Sequence, residues 1–284
     1  MESPWILICL LAALAAAGTA GCLSPSSPDG EPFLPAMGTT SADADPAAVL
    51  ARLAADVNTT LEEIDRNVAD TASTLGSTGL SGQEANATLA RLAAASPHIA
   101  DAVTITPDGR IAAAMPAEYG GAVGADVSGQ PHVQRGLAER RPLMSEVLRA
   151  VEGFDAVTVQ HPVLAGDGTV LGLVSAVVEP DLLLADRSDR AIAGTPFTAW
   201  AMAPDGRLIY DADPARIGRN VITDPAYAGF PEFTAFARRI ATEPSGNGSY
   251  TLSPPGGATV RQEAVWATAG LHGTAWRVVV VRAA

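Results

Sequence analysis

The sequence predicts an α+β fold in which one long N-terminal helix lies beside two similar units, each a mostly antiparallel sheet with flanking helices. Three observations predict it. Leu50, Leu53, Val57, Leu61, Ile64, Val68 and Leu75 recur at spacings of three, four and seven, which marks one buried stripe on a helix of about eight turns. From residue 100 the texture changes to short alternating apolar runs separated by Gly, Pro and Asp turns, the pattern of strands and hairpins. The string Thr106-Pro107-Asp108-Gly109-Arg110 then returns as Ala203-Pro204-Asp205-Gly206-Arg207, displaced by 97 positions. Each copy sits between an apolar strand and its return, so the chain reads as two related units.

The elements follow in order. An apolar run from Trp5 to Ala17 ends in Thr19-Ala20-Gly21-Cys22. A hydrophobic core of signal-peptide length before small residues and a cysteine reads as a lipobox, with Cys22 as the lipid attachment point of a signal segment 1–22. The opening lacks the usual Lys or Arg, and an uncleaved anchor helix is the alternative; both place the body outside the cytoplasmic membrane. Residues 23–45, rich in Ser, Pro, Gly and Thr, form a flexible linker. The first folded segment, 46–195, holds the long helix and the first unit. Gly76 and Gly79 end the helix, and Ser81-Gly82-Gln83-Glu84 reads as a capping box opening a second helix, which stops before Pro97. Ala102–Thr106 and Arg110–Ala113 make a hairpin across the Pro-Asp-Gly turn. A loop-rich stretch from Pro116 to Pro131 precedes a short helix over Val133–Glu139, and two strands follow near Ala156–Val163 and Val170–Glu179. The second segment, 196–284, repeats the order, with a helix near Pro231–Ile240 and strands near Gly248–Leu252, Thr259–Ala267 and Ala275–Val281.

Composition removes several functions. The net charge is −13 and the chain has no Lys, so Schiff-base chemistry and a Walker-type phosphate lysine are absent, and an acidic surface repels nucleic acid. The two cysteines, Cys9 and Cys22, both lie in the signal region; the body has no disulfide, no cysteine metal site and no thiol nucleophile. His98, His132, His161 and His272 stand at no metal-binding spacing, and neither HExxH nor Gly-x-Ser-x-Gly occurs, so no metal, cofactor or catalytic residue is expected. Asp108 and Asp205 are turn formers in their Pro-Asp-Gly context. Asn58, Asn86 and Asn247 open glycosylation-type sequons, for which chance is the default reading.

Taken in order, these motifs resemble the extracellular double Cache sensor domain, the two-lobed PAS-like module of chemoreceptors and sensor kinases. The first lobe's likeness lies in Ile105–Arg110, Gly124–Ser128, the helix from Val133, and His161-Pro162-Val163 followed by Asp167–Gly172. The second lobe's lies in Pro204–Asp211, Ile217–Asn220, Gly246–Tyr250, Ala264–Trp266 and Trp276–Val280. The likeness spans roughly residues 46–284. It implies a long helix beside two stacked PAS-like lobes, with the ligand in the first, membrane-distal lobe between the sheet and the loop-helix segment over it. Amino-acid-binding members carry Arg-x-Trp-Tyr before that helix. Gln130, His132 and Val133 stand at the matching positions here, and the ammonium-binding Asp is missing from Ser175–Glu179, so the resemblance does not imply amino-acid binding by that route.

Gln130 and His132 remain candidates for hydrogen bonds to another small polar ligand. Arg149 and Glu152 flank the approach to the next strand, where Thr158 and Gln160 share one face because strand side chains alternate. The ligand-binding set expected from sequence is therefore Gln130, His132, Arg149, Thr158 and Gln160. His161 reads as a strand-end histidine with a satisfied hydrogen bond. The expected function is a lipid-anchored extracytoplasmic small-molecule sensor, not an enzyme, with no output module of its own. It would report to a membrane receptor, kinase or transporter, and its long helix offers a homodimer seam. A solute-binding protein feeding a transporter, or an envelope interaction module without a ligand, are the alternatives.

Overall fold

A computed structural model of the chain describes residues 44–252 and 259–284. The apolar run, Cys22 and all but the last two residues of the 23–45 linker lie outside them. Helix α1 spans Pro46–Thr78. Asp45 caps it, its side chain accepting from the Ala47 amide at 2.9 Å, and Pro46 fills the first helical position, where no N–H is needed. Gly79, at φ +86°, closes the other end with its N–H on the Leu75 carbonyl. Every residue of the stripe from Leu50 to Leu75 is buried, and 33 residues make a rod about 50 Å long.

Helix α2 spans Gln83–Ala93. The capping box expected at Ser81 does not form. The cap is Gly82, at φ +94°, with no side-chain bond; glycine adopts that left-handed angle without strain, and the helix starts one residue later than a Ser81 cap would set it. Strands β1 (Ile99–Ile105) and β2 (Ile111–Met115) make the first hairpin, and α3 covers Pro131–Glu139. Two short strands follow, β3 (Leu143–Met144) and β4 (Leu148–Arg149), then the long pair β5 (Asp155–Leu164) and β6 (Val170–Val178). The first sheet has the order β2-β1-β6-β5-β3, with β4 also on β5, and all its pairings are antiparallel.

Helix α4 (Pro180–Ile192) carries the chain between the sheets. Strands β7 (Thr198–Met202) and β8 (Leu208–Tyr210), helix α5 (Pro231–Thr242), and strands β9 (Gly246–Leu252), β10 (Val260–Leu271) and β11 (Thr274–Ala283) complete the second lobe. Its sheet order is β8-β7-β11-β10-β9. The repeated turn has the same wiring in both lobes: Val127 N–H bonds the Gly109 carbonyl at 2.8 Å, and Val221 N–H bonds the Gly206 carbonyl at 2.9 Å.

One core joins the pieces. The stripe of α1 packs with Val157, Val159, Val174 and Ala176 of the first sheet and with Ala269, Trp276, Val278 and Val280 of the second. Polar ties cross the same seam. Asn58 Oδ1 accepts from Gly270 N–H at 2.9 Å, Thr274 Oγ1 donates to the Met144 carbonyl at 2.7 Å, and Arg207 Nη2 reaches Asp155 Oδ2 at 2.7 Å. Asp65 of α1 meets two histidines, His161 of β5 at 2.7 Å and His272 of the β10–β11 turn at 2.8 Å. Burial opposes the Asp65 charge, but the hydrogen bonds and positive charge of the two imidazoles outweigh it and hold the carboxyl below its ordinary range.

Candidate functional site in the first lobe

Residues paired across an antiparallel sheet point to the same face. The register therefore lays out the face beneath α3 in rows. Asp101, Val177 and Thr158 form one row; Val103, Ser175 and Gln160 form the next; Ile105, Leu173 and Pro162 form the third. The opposite face carries Ala102, Thr104, Val159 and Ala176, and Thr104 Oγ1 donates to the Leu80 carbonyl at 2.6 Å. Thr158 and Gln160 thus stand on the face beneath α3, and His161 on the side of α1.

A small cavity of about 30 Å³ opens on this face, lined by Val103, Ile111, Val127, Gln130, His132, Leu148, Val151, Glu152, Thr158, Ser175 and others. Its rim is the β4–β5 turn. Ala150 N–H bonds the Phe154 carbonyl at 2.8 Å, Gly153 turns at φ +94°, and the Phe154 ring meets Tyr119 edge-on at 6.3 Å. The space holds about one water, so the turn sits closed over the sheet.

The polar groups of the face are short of partners. Asp101 Oδ1 and Oδ2, Thr158 Oγ1, Gln160 Oε1 and Ser175 Oγ are all buried and find no hydrogen-bond donor or acceptor among the described residues. Asp101 is 0% exposed. Burial first, then the charge of the nearby Glu152, push the Asp101 carboxyl up to about 8, so Asp101 is neutral at pH 7. Burial alone pushes His132 down to about 4, so its imidazole is neutral as well. An unmet buried polar atom costs about 1–3 kcal/mol, and five on one face are a standing demand for a partner.

The sequence-expected residues divide. Gln130, His132 and Thr158 line the cavity. Gln160 lies under it as a strut: its Nε2 donates to the His132 carbonyl at 2.9 Å, and a Cβ on Gly136 of α3 would collide with that amide. Arg149 does not join them. It is exposed and points to Asp155 at 3.4 Å, because β4 is an edge strand whose outer face meets water. Sequence reading missed Asp101 and Ser175, which look like ordinary polar interruptions of apolar strands.

Residues 59–180 match the family model described as HK/GC/Chemotaxis protein-like, sensor domain. Among solved structures, the chain is similar to an extracellular ligand binding receptor from Desulfohalobium retbaense DSM5692, at 29% identity and a TM-score of 0.72. That alignment covers 84% of this chain and 40% of the receptor, so the chain spans less than half of that receptor's length. The chain shares its two-lobed α+β fold with that receptor. The same fold appears in the ligand-binding domain of the Pseudomonas fluorescens chemoreceptor CtaA in complex with L-serine, at 12% identity and a TM-score of 0.62, covering 84% of this chain and 95% of that one. It appears also in the Pseudomonas aeruginosa PAO1 chemoreceptor PctB in complex with L-Gln, at 16% identity and a TM-score of 0.58, covering 84% and 89%. No curated protein matches the chain. No helix among the described residues is long and apolar enough to cross a membrane.

Proposed function

We propose that the first lobe senses a small cationic amine with an apolar body, on the outer side of the cytoplasmic membrane. The observation that carries this reading is Asp101, a buried carboxyl without a donor, in one row with the cavity-lining Val177 and Thr158 and near Glu152 of the rim. Asp101, held protonated by burial beside Glu152, gains a partner when an ammonium group enters. Thr158 Oγ1 and Ser175 Oγ supply further acceptors, and the valines and isoleucines around them suit an alkyl chain. No Arg lines the cavity, so a ligand carboxylate would find no counter-charge there. The ligands in the similar chemoreceptor domains, L-serine and L-Gln, both carry an ammonium group.

Binding enlarges the cavity by lifting the β4–β5 turn and shifts the population toward an open rim. Asp155, at the foot of that turn, is tied to Arg207 of the second lobe, which gives the movement a route onward. The Thr19-Ala20-Gly21-Cys22 segment supports a lipid anchor at Cys22, and a membrane receptor, kinase or transporter would read the lobe arrangement. The test is a thermal-shift and calorimetric titration with ethylamine, n-butylamine and putrescine, against acetate and L-alanine. An amine-specific shift that Asp101→Asn abolishes is expected, with affinity rising up to tenfold per pH unit toward pH 8 as Asp101 loses its proton. No response to any amine, or a response that Asp101→Asn leaves intact, rejects the amine reading.

A further inference from the structure

The second cluster of titratable side chains lies away from the cavity, where the two lobes meet the long helix. Asp65 comes from α1, His161 from β5 of the first lobe, and His272 from the two-residue turn between β10 and β11 of the second. In sequence they are 96 and 207 positions apart from Asp65, so no spacing motif announces them. In space both imidazoles turn Nε2 toward the same carboxylate oxygen, at 2.7 and 2.8 Å. The three candidate ligand atoms all lie within 4.8 Å of one another. The rings are set edge to face, centroids 6.2 Å apart and planes at 74°, so the two nitrogens converge while the rings splay. His272 holds a left-handed backbone, at φ +50°, which fixes its side chain at the tip of the turn.

We propose that Asp65, His161 and His272 form a binding site for a divalent transition metal of the zinc class, clamping both lobes to the long helix. Two imidazole nitrogens and one carboxylate oxygen are a ligand set that zinc favours, with ligand bonds of about 2.0–2.2 Å. A tetrahedral ion needs its ligands about 3.3 Å apart, so the two contacts widen by roughly half an ångström. The ion needs the lone pair of each Nε2, so a proton held there moves to Nδ1 or to solvent as the metal enters. Three protein ligands leave a fourth position for water. Access is present: the side chains of His161, Asp65 and His272 are 12%, 20% and 24% exposed, and His161 also borders an open groove of about 530 Å³ along α1, with Ala72, Ser73, Gly76 and Pro162.

The site is built from three elements that otherwise meet only through apolar packing and single hydrogen bonds. Metal bound there favours the arrangement in which both lobes touch α1, and loss of metal loosens it. This proposal stands independently of the amine site.

The experiment uses the purified full chain, stripped with EDTA and dialysed against Zn²⁺, with metal content and thermal unfolding read together. Co²⁺ is the spectroscopic probe, because a tetrahedral nitrogen–oxygen site gives visible absorption that hexaaqua cobalt lacks. One equivalent of Zn²⁺ is expected, with a rise in the unfolding midpoint of several degrees at about 100-fold excess over Kd. His161→Gln and His272→Asn are expected to weaken binding about 100-fold or more; each keeps an amide donor for Asp65, and Asn tolerates the left-handed backbone at 272. Should either variant fail to fold, the Co²⁺ spectrum of the wild type decides. Substoichiometric Zn²⁺, an octahedral Co²⁺ spectrum, or binding unchanged in both variants overturns the proposal.

Discussion

In the first lobe the central row of the face beneath α3 reads Val103, Ser175 and Gln160; in the second, the row at the same place reads Trp200, Val279 and Trp266. The correspondence follows from the 97-position repeat and from the matching strand orders. The two faces solve the same packing problem in opposite ways. Trp200, Tyr227, Phe233, Phe236, Tyr250 and Trp266 fill the second lobe's concavity with their own rings. Its buried charge is answered, since Asp211 pairs with Arg216 at 3.0 Å, and Trp266 Nε1 donates to the Glu243 carbonyl at 3.0 Å. The first lobe replaces rings by short side chains and leaves its polar atoms unmet. One fold thus carries a lobe filled by its own rings and a lobe whose buried polar atoms are left without partners.

The largest way to break the comparison is to empty the filled lobe. Trp266→Ala removes a 1% exposed ring that packs on Phe236 and Gly246, and is expected to cost about 3–5 kcal/mol in urea unfolding. Gln160→Ala, at the matching place, is expected to cost about 1–2 kcal/mol, because the amide it removes is only half-satisfied. Equal losses would dissolve the distinction between the lobes.

A pH series is the next test. Asp101 keeps its proton up to about 8 in the fold and up to 3.8 when unfolded, so the stability it contributes is complete below about 4 and is lost as pH rises to 8. His132 stays neutral down to about 4 in the fold and takes a proton near 6.5 when unfolded, so its contribution is complete above 6.5 and is lost as pH falls. The two slopes oppose each other between about 4 and 6.5; above 6.5 only Asp101 acts. Stability is expected to fall by about 2 kcal/mol between pH 6.5 and 8, and Asp101→Asn to flatten that slope. A slope that survives in Asp101→Asn assigns it to another group.

The smallest effect sharpens the comparison from the other side. Ser175→Val gives the first lobe the residue that the second carries as Val279, and removes an unmet hydroxyl. It is expected to stabilise the chain by about 1 kcal/mol and to reduce amine binding at least tenfold in the calorimetric titration. Stabilisation with binding unchanged would separate Ser175 from the ligand.

Much of this architecture was legible because it rests on local periodicity. The α1 stripe, the paired Pro-Asp-Gly turns and the long strands of both sheets repeat at 3.6 or 2 residues, and burial follows those periods. The elements that were not read, β3, β4 and α4, have weaker signals: two strands of two residues each, and a helix whose Leu182-Leu183-Leu184 run has no clear face. The site was half legible. Strand alternation put Thr158 and Gln160 together on one face, which the structure sets beneath α3, and the motif position pointed to His132, which lines the cavity. Asp101, Ser175 and the Asp65–His161–His272 cluster were invisible because they are made by register between distant strands, which leaves no trace in spacing.

The tie between Asn58 and Gly270 spans 212 positions, and it has a consequence for how the protein is made. Helix α1 is synthesised first, and β10, which covers part of its stripe, about two hundred residues later. At about 5–20 residues per second, the apolar edge of the helix waits roughly 10–40 s for its last partner. Through that interval the early half cannot reach its final packing, so the nascent chain stays loose enough to be threaded across a membrane and vulnerable to sticking to its neighbours.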